Sequence, residues 1–214
     1  MKLSESTSTR DRLIEAARDL FLQQGYSATG IAQILREANA KPGSLYHFFP
    51  TKEDLLIAVL ESYTQLLWPL VIKPVFDRVS DPIERIFGIL DGYRRMLQLT
   101  TCTKGCPIGN IVLELADTHP HVRELCATNF TGWRKAIEGC LDDAANRLPQ
   151  SVDRIDLASF VLTVMEGGVM QARAYQTLEP FDVAVLQLRD YFDRLLDDGT
   201  TWSTQTPPNR IDPE

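Results

Sequence analysis

Ser44, Tyr46 and His47 stand close together between Lys41 and Lys52, within the stretch TGIAQILREANAKPGSLYHFFPTK at residues 29–52. A hydroxyl, a phenol, an imidazole and two ammonium groups at this spacing form a set of donors for phosphate oxygens and base edges, the chemistry needed to read duplex DNA. A second group lies at residues 102–106, where Cys106 follows Lys104 at the start of an expected helix. The helix dipole and the ammonium both favour a thiolate there, so the sequence reading allows an oxidant- or electrophile-sensing thiol, with Cys102, Cys126 or Cys140 as resolving partner. Other chemistries find less support. Cys102, Cys106, His119 and His121 match no common zinc spacing, and Pro120 separates the two histidines. No glycine-rich phosphate loop, nucleophile elbow or His-Glu-x-x-His run is present, so catalytic residues, metal and cofactor are all expected to be none.

The donors at residues 41–52 need elements to hold them. Ile31, Ile34, Leu35 and Ala38 fall on one face of a first short helix. Asn39 tolerates the left-handed backbone that ends it, and Pro42 suits the first position of the next helix. Leu45 and Phe49 turn inward, leaving Ser44, Tyr46 and His47 facing out. Gly43, Ser44 and Lys41 then sit at the helix entrance, Thr29 serves as a cap and phosphate contact, and Gln33 projects from the first helix. Two helices this short need a brace. It comes from the stripe Leu13, Ala17, Leu20 and Phe21, which begins at a Thr9 cap and stops at Gly25, with Tyr26 behind it.

The order LIEAARDLFLQQGYSATGIAQILREANAKPGSLYHFFPTKEDLL resembles the N-terminal DNA-binding domain of the TetR family of bacterial regulators, over about a quarter of the chain. Phe21, Gly25-Tyr26, Gly43-Ser44-Leu45-Tyr46, Phe49 and Lys52-Glu53 carry the resemblance. It implies an all-helical homodimer with a ligand-binding C-terminal domain, a repressor released from DNA by a small molecule, and a phosphate-clamping role for Lys52. Where relatives carry Ser or Thr and a long polar residue, this chain has Gly30 and Ala32, which shifts the expected recognition toward Gln33 and Lys41.

At 214 residues the chain can bury a sizeable core. Residues 1–52 hold seven Lys/Arg against five Asp/Glu, and the remainder fifteen against twenty-four, within a net charge of −7. That polarity favours a localised phosphate-binding edge over general coating of DNA. The polar start is no signal sequence, no apolar run is read as a membrane span, and the four cysteines suit free thiols. The expectation is a cytoplasmic protein without membrane partners.

Beyond Lys52 the pattern is helical. The expected fold is all-α: an N-terminal three-helix helix-turn-helix domain followed by a helical ligand-binding and dimerisation domain. The expected divisions are a flexible arm at 1–8, the DNA-binding domain at 9–52, the ligand-binding and dimerisation domain at 53–198, and a mobile tail at 199–214. A helix from residue 53 is expected to end at Pro69, with a bend through Pro74. Asp81-Pro82 starts the next helix, Cys106-Pro107 a short one, and the helix through Trp133 runs to Leu148-Pro149. Trp68, Phe87, Tyr93, Cys106, Asn110, Trp133, Met165 and Glu166 are the candidates for an effector pocket. The segment LASFVLTVMEGGV at residues 157–169 is apolar nearly all round, as a helix covered on every side must be. Val161, Met165, Gly168 and Ala172, with Val185, Leu188, Phe192 and Leu195, are the expected seam of a four-helix homodimer.

The functional expectation is a DNA-binding regulator whose homodimer meets a near-palindromic double-stranded operator and leaves it when a small-molecule effector binds. Alternatives are a thiol-triggered regulator using Cys106, and a helical carrier or enzyme.

Overall fold

The computed structural model describes residues 8–197. The expected tail lies outside them, as does the expected arm apart from Ser8. Among the described residues the elements are α1 (Thr9–Gln24), α2 (Ile31–Glu37), α3 (Pro42–Phe48), α4 (Lys52–Leu66), a π-helical segment (Leu67–Ile72), α5 (Lys73–Phe76), α6 (Pro82–Leu99), α7 (Pro107–Leu115), α8 (Pro120–Asp143), α9 (Arg154–Tyr175) and α10 (Glu179–Asp197). The all-α expectation holds.

Local chemistry sets most boundaries. Ser8, not Thr9, caps α1, its hydroxyl accepting from the Asp11 N–H at 3.1 Å. Gly25 ends that helix at φ +86°, a backbone that side-chain-bearing residues rarely adopt. Asn39 takes φ +46° after α2, and the Ala40 N–H reaches back to the Leu35 carbonyl at 2.9 Å, closing a Schellman-type turn. Pro42 opens α3 as expected. Thr51 and Asp54 form a reciprocal capping box at the start of α4. Asp81 and Asp153 accept the first N–H groups of α6 and α9.

Pro69 does not end the helix that begins at Lys52. The chain remains helical to Phe76, passing both prolines through the wider π turns of Leu67–Ile72. The helix through Trp133 stops at Asp143, short of the expected Leu148. Two helical stretches, Lys52–Phe76 and Arg154–Tyr175, are long and apolar enough to span a membrane by length and composition, which corrects the reading that no run approaches that length. Both contribute one face to the helical core.

That core is continuous. Leu13, Ala17, Ile34, Leu45 and Phe49 unite α1 to α3, and Leu55, Leu56 and Leu60 of α4 carry the packing into the larger helical body. Arg94 and Asp182, paired through two bonds at 2.7 and 2.9 Å, tie α6 to α10.

The expected dimer seam is an internal one. Val161, Met165, Gly168, Ala172, Leu188, Phe192 and Leu195 are all buried within the single chain, and Val185 is half-buried beside Phe87 and Leu90. A Cβ on Gly168 would come within 3.0 Å of the Phe181 ring, so this glycine serves the approach of α9 to α10 within one copy. A helix that is apolar all round has two buried faces to assign, and the tighter stripe is the intramolecular one. The outer face carries Phe160, Val164, Gly167, Ala184, Gln187 and Tyr191.

Candidate DNA-contacting surface and effector cavities

The short α3 presents one edge to solvent. Lys41, Gly43, Tyr46 and His47 are exposed and Ser44 is half-buried, while Leu45 and Phe49 anchor the helix beneath them. A Cβ on Gly43 would meet nothing within 4 Å, so packing inside the chain does not demand a glycine there. Its missing side chain leaves the entrance of α3 open to an approaching backbone. Phe48, 39% exposed and stacked edge-on against His47 at 4.8 Å, completes this edge. Phe48 carries no polar group to mark it in the sequence, although burying residues 45 and 49 forces residues 46 to 48 outward.

Three expected contacts are placed differently. Thr29 is 1% exposed, and its hydroxyl donates to the Gly25 carbonyl at 2.7 Å, so it neither caps α2 nor faces outward. The residue at the cap position is Gly30, which offers no side chain. Lys52 turns inward: its ammonium donates to the Tyr26 carbonyl at 2.5 Å and lies 4.1 Å from the centre of the Tyr26 ring. Burial pushes its pKa down, against the favourable field of Glu114. Gln33 is half-buried and exchanges amide hydrogen bonds with Gln24 at 2.9 and 3.2 Å.

Glu114, at the end of α7, was not singled out in the sequence. Its two carboxylate oxygens accept from the backbone N–H groups of Tyr26 and Ser27 at 2.9 and 2.6 Å, in the turn between α1 and α2. Partial burial opposes the charge, but these bonds and the Lys52 ammonium hold its pKa below the usual carboxylate value. Gly25 leaves just enough room, since a Cβ there would lie 3.1 Å from the carboxylate. Residues 26 and 114 are too far apart in sequence for any local signal to pair them.

Above this joint, two cavities in the body take in five of the eight expected pocket residues. Tyr93 and Trp133 line a cavity of about 480 Å³ between α4, the π segment, α6, α7 and α8, together with Tyr63, Met96 and Arg18. Cys106, Asn110 and Glu166 line another of about 650 Å³ bounded by α7, α8 and α9. Phe87 borders only a shallow groove by α10, Trp68 lies 55% exposed, and Met165 is buried core, so these three line neither cavity. α7 borders both cavities through residues 107–110.

Cys106 caps α7, its sulfur accepting from the Gly109 N–H at 3.4 Å. The thiol is 5% exposed, and burial and the Glu166 carboxylate push its pKa up, outweighing the helix N-terminus. The expected low-pKa thiolate is not supported: burial and the Glu166 carboxylate both favour the neutral thiol. Among the described residues all four cysteines are free and buried, and no cluster of three metal-ligating side chains occurs.

Known proteins match both parts of the chain. Residues 13–59 match the profile of bacterial regulatory proteins of the tetR family, and residues 82–187 that of the LmrA/YxaF-like transcriptional regulator C-terminal domain. The HTH-type transcriptional regulator YxaF of Bacillus subtilis is 34% identical over 169 residues, covering 76% of this chain and 83% of that protein. LmrA of the same organism is 30% identical over 164 residues, covering 76% and 85%. The fold is shared with regulatory protein TetR from Rhodobacter sphaeroides, at a TM-score of 0.78 and 22% identity over 86% of this chain and 98% of that one. On these likenesses over most of its length, the chain belongs to the TetR family of helix-turn-helix transcriptional regulators.

Proposed function

We propose that this regulator is a cytoplasmic repressor that holds a near-palindromic operator as a homodimer and leaves it when a small molecule enters the helical body. Residues 9–52 act as the DNA-reading head and residues 53–198 as the sensing and pairing body. Lys41, Gly43, Ser44, Tyr46 and His47 make the groove and phosphate contacts. The observation that carries the reading is the span of α7: its first turn borders both cavities, and Glu114 at its far end grips the head at Tyr26 and Ser27. A ligand that displaces α7 thereby displaces the head. A coupling of about 1 to 3 kcal/mol suffices for a working switch.

The outer face of α9 and α10 supports pairing. Phe160 and Tyr191 are 45% and 44% exposed and stack on each other at 5.6 Å, beside the unsubstituted surface of Gly167. Repression is the sign carried by relatives such as the transcriptional repressor DhaR of Mycobacterium sp., 26% identical over 178 residues that cover 82% of this chain and 88% of that protein.

The test is a fluorescence anisotropy titration of the full chain against duplexes tiled across the DNA flanking its coding sequence. One fragment containing an inverted repeat should bind at least a hundredfold tighter than scrambled DNA at equal salt. Uniform affinity across every fragment would contradict the proposal.

A further inference from the structure

We infer that the cavity between α4 and α8 takes an apolar molecule bearing one carboxylate, and that Arg18 of α1 receives that carboxylate. The inference rests on the effector reading above and gives the effector a chemical class.

The argument begins with donors that the protein leaves unused. Arg18 lines this cavity with its side chain only 24% exposed, and its one ion-pair contact is Glu15 at 4.0 Å, itself 62% exposed. No hydrogen bond joins the Arg18 guanidinium, or the hydroxyls of Tyr63 and Tyr93, to any other described residue, although all three line the same space. Other polar groups on the wall are occupied. The Asn129 amide donates to the Leu60 and Leu125 carbonyls and accepts from Thr64, Arg78 donates to the Pro74 carbonyl, and Arg95 binds Asp91.

The unused donors line one cavity. Arg18 acts electrostatically on the Tyr63 hydroxyl, and Tyr63 on that of Tyr93. Burial drives both phenols up in pKa, so each remains a neutral O–H that can donate. A guanidinium has five N–H groups and no acceptor, so a half-sheltered one on the wall of a largely apolar cavity suits an anion. Its planar fork matches a carboxylate through two parallel bonds, and the two phenols can complete the oxygens' shell. The remaining wall, including Leu66, Leu67, Val71, Met96 and Trp133, is hydrocarbon and aromatic, which suits an apolar body and penalises a second charge. A volume near 480 Å³ lies within the usual range for small-molecule sites, about 300 to 1,000 Å³.

The place of Arg18 gives this contact its consequence. α1 is the brace of the head, with Leu13, Ala17 and Leu20 buried in its core. A carboxylate drawn to Arg18 touches the DNA-reading unit directly, without passing through α7.

The test is calorimetric titration of the full-length protein with octanoate and with 1-octanol, which share a tail and differ in charge. Octanoate should bind at least tenfold tighter than 1-octanol, and Arg18→Gln should abolish that preference. Tyr63→Phe, a milder change that keeps the ring in place, should weaken octanoate several-fold. Equal affinity for acid and alcohol overturns the inference, as does a preference that survives both substitutions in folded protein, or no octanoate binding at millimolar concentration. Operator titration of the same preparations separates the two readings. If octanoate binds through Arg18 but leaves the operator complex intact, the carboxylate site stands and the release reading fails.

Discussion

Removing the Glu114 carboxylate should loosen the head from the body while leaving both folded. In Glu114→Ala the Tyr26 and Ser27 N–H groups lose acceptors at 2.9 and 2.6 Å. Charge-assisted bonds of this kind contribute about 1.5 to 3 kcal/mol each when sheltered, but Glu114 is an exposed residue, and screening reduces the pair to about 1 to 2 kcal/mol. That is a factor of roughly 5 to 30 in a local opening equilibrium. Amide hydrogen exchange is the assay. The Ser27 amide should exchange faster by that factor in the variant, while core amides such as that of Leu56 keep wild-type rates. Glu114→Gln, which retains one acceptor oxygen, should fall between. The pH dependence has a definite sign. The folded-state pKa of Glu114 is depressed, so its contribution is full above the ordinary glutamate value and disappears as pH falls through the lower folded value. Unchanged Ser27 exchange in Glu114→Ala would refute the claim that this carboxylate couples α7 to the head.

Phe160→Glu places a charge on the outer face of α9 and should shift the protein from dimer to monomer in light scattering; a variant that stays dimeric points to another interface. Cys106, buried and raised in pKa, should be alkylated by iodoacetamide at neutral pH at least tenfold more slowly in the native chain than in the unfolded one, and comparable rates would restore the thiolate reading. Asn129 is 4% exposed and bridges the Leu60 and Leu125 carbonyls, so Asn129→Ala should cost about 2 kcal/mol in denaturant unfolding, and a loss under about 0.5 kcal/mol would contradict that role.

The contrast between what was legible and what was not follows the range of the interactions. Asn39 at positive φ, Pro42 at the head of α3 and Asp81 as a cap were readable because each acts on its own few residues. The inward stripe of Leu45 and Phe49 was readable from helical period alone. Lys52 was not, since its ammonium answers to the Tyr26 carbonyl and ring, which only the folded head brings near. Pro69 misled for a related reason: a proline forbids one backbone bond, and the π turns show that neighbouring bonds can lengthen around it. On α9 the composition revealed two apolar faces but could not say which meets α10 and which meets solvent. In the sequence, only size or polarity within the C-terminal domain marks a pocket residue. Only packing shows that Tyr93 and Trp133 share one cavity with Arg18 of α1, while Cys106, Asn110 and Glu166 line another.

The central claim is that α3 of each of two paired chains reads one half of an operator. The most direct measurement compares wild type, Tyr46→Ala and Lys41→Ala on the tightest-binding fragment by anisotropy across a salt series, with stoichiometry from sedimentation. Two protomers should bind per duplex, Tyr46→Ala should weaken binding about tenfold or more, and Lys41→Ala should lower the salt slope. Binding by a single protomer, or wild-type affinity and salt slope in both variants, would contradict it.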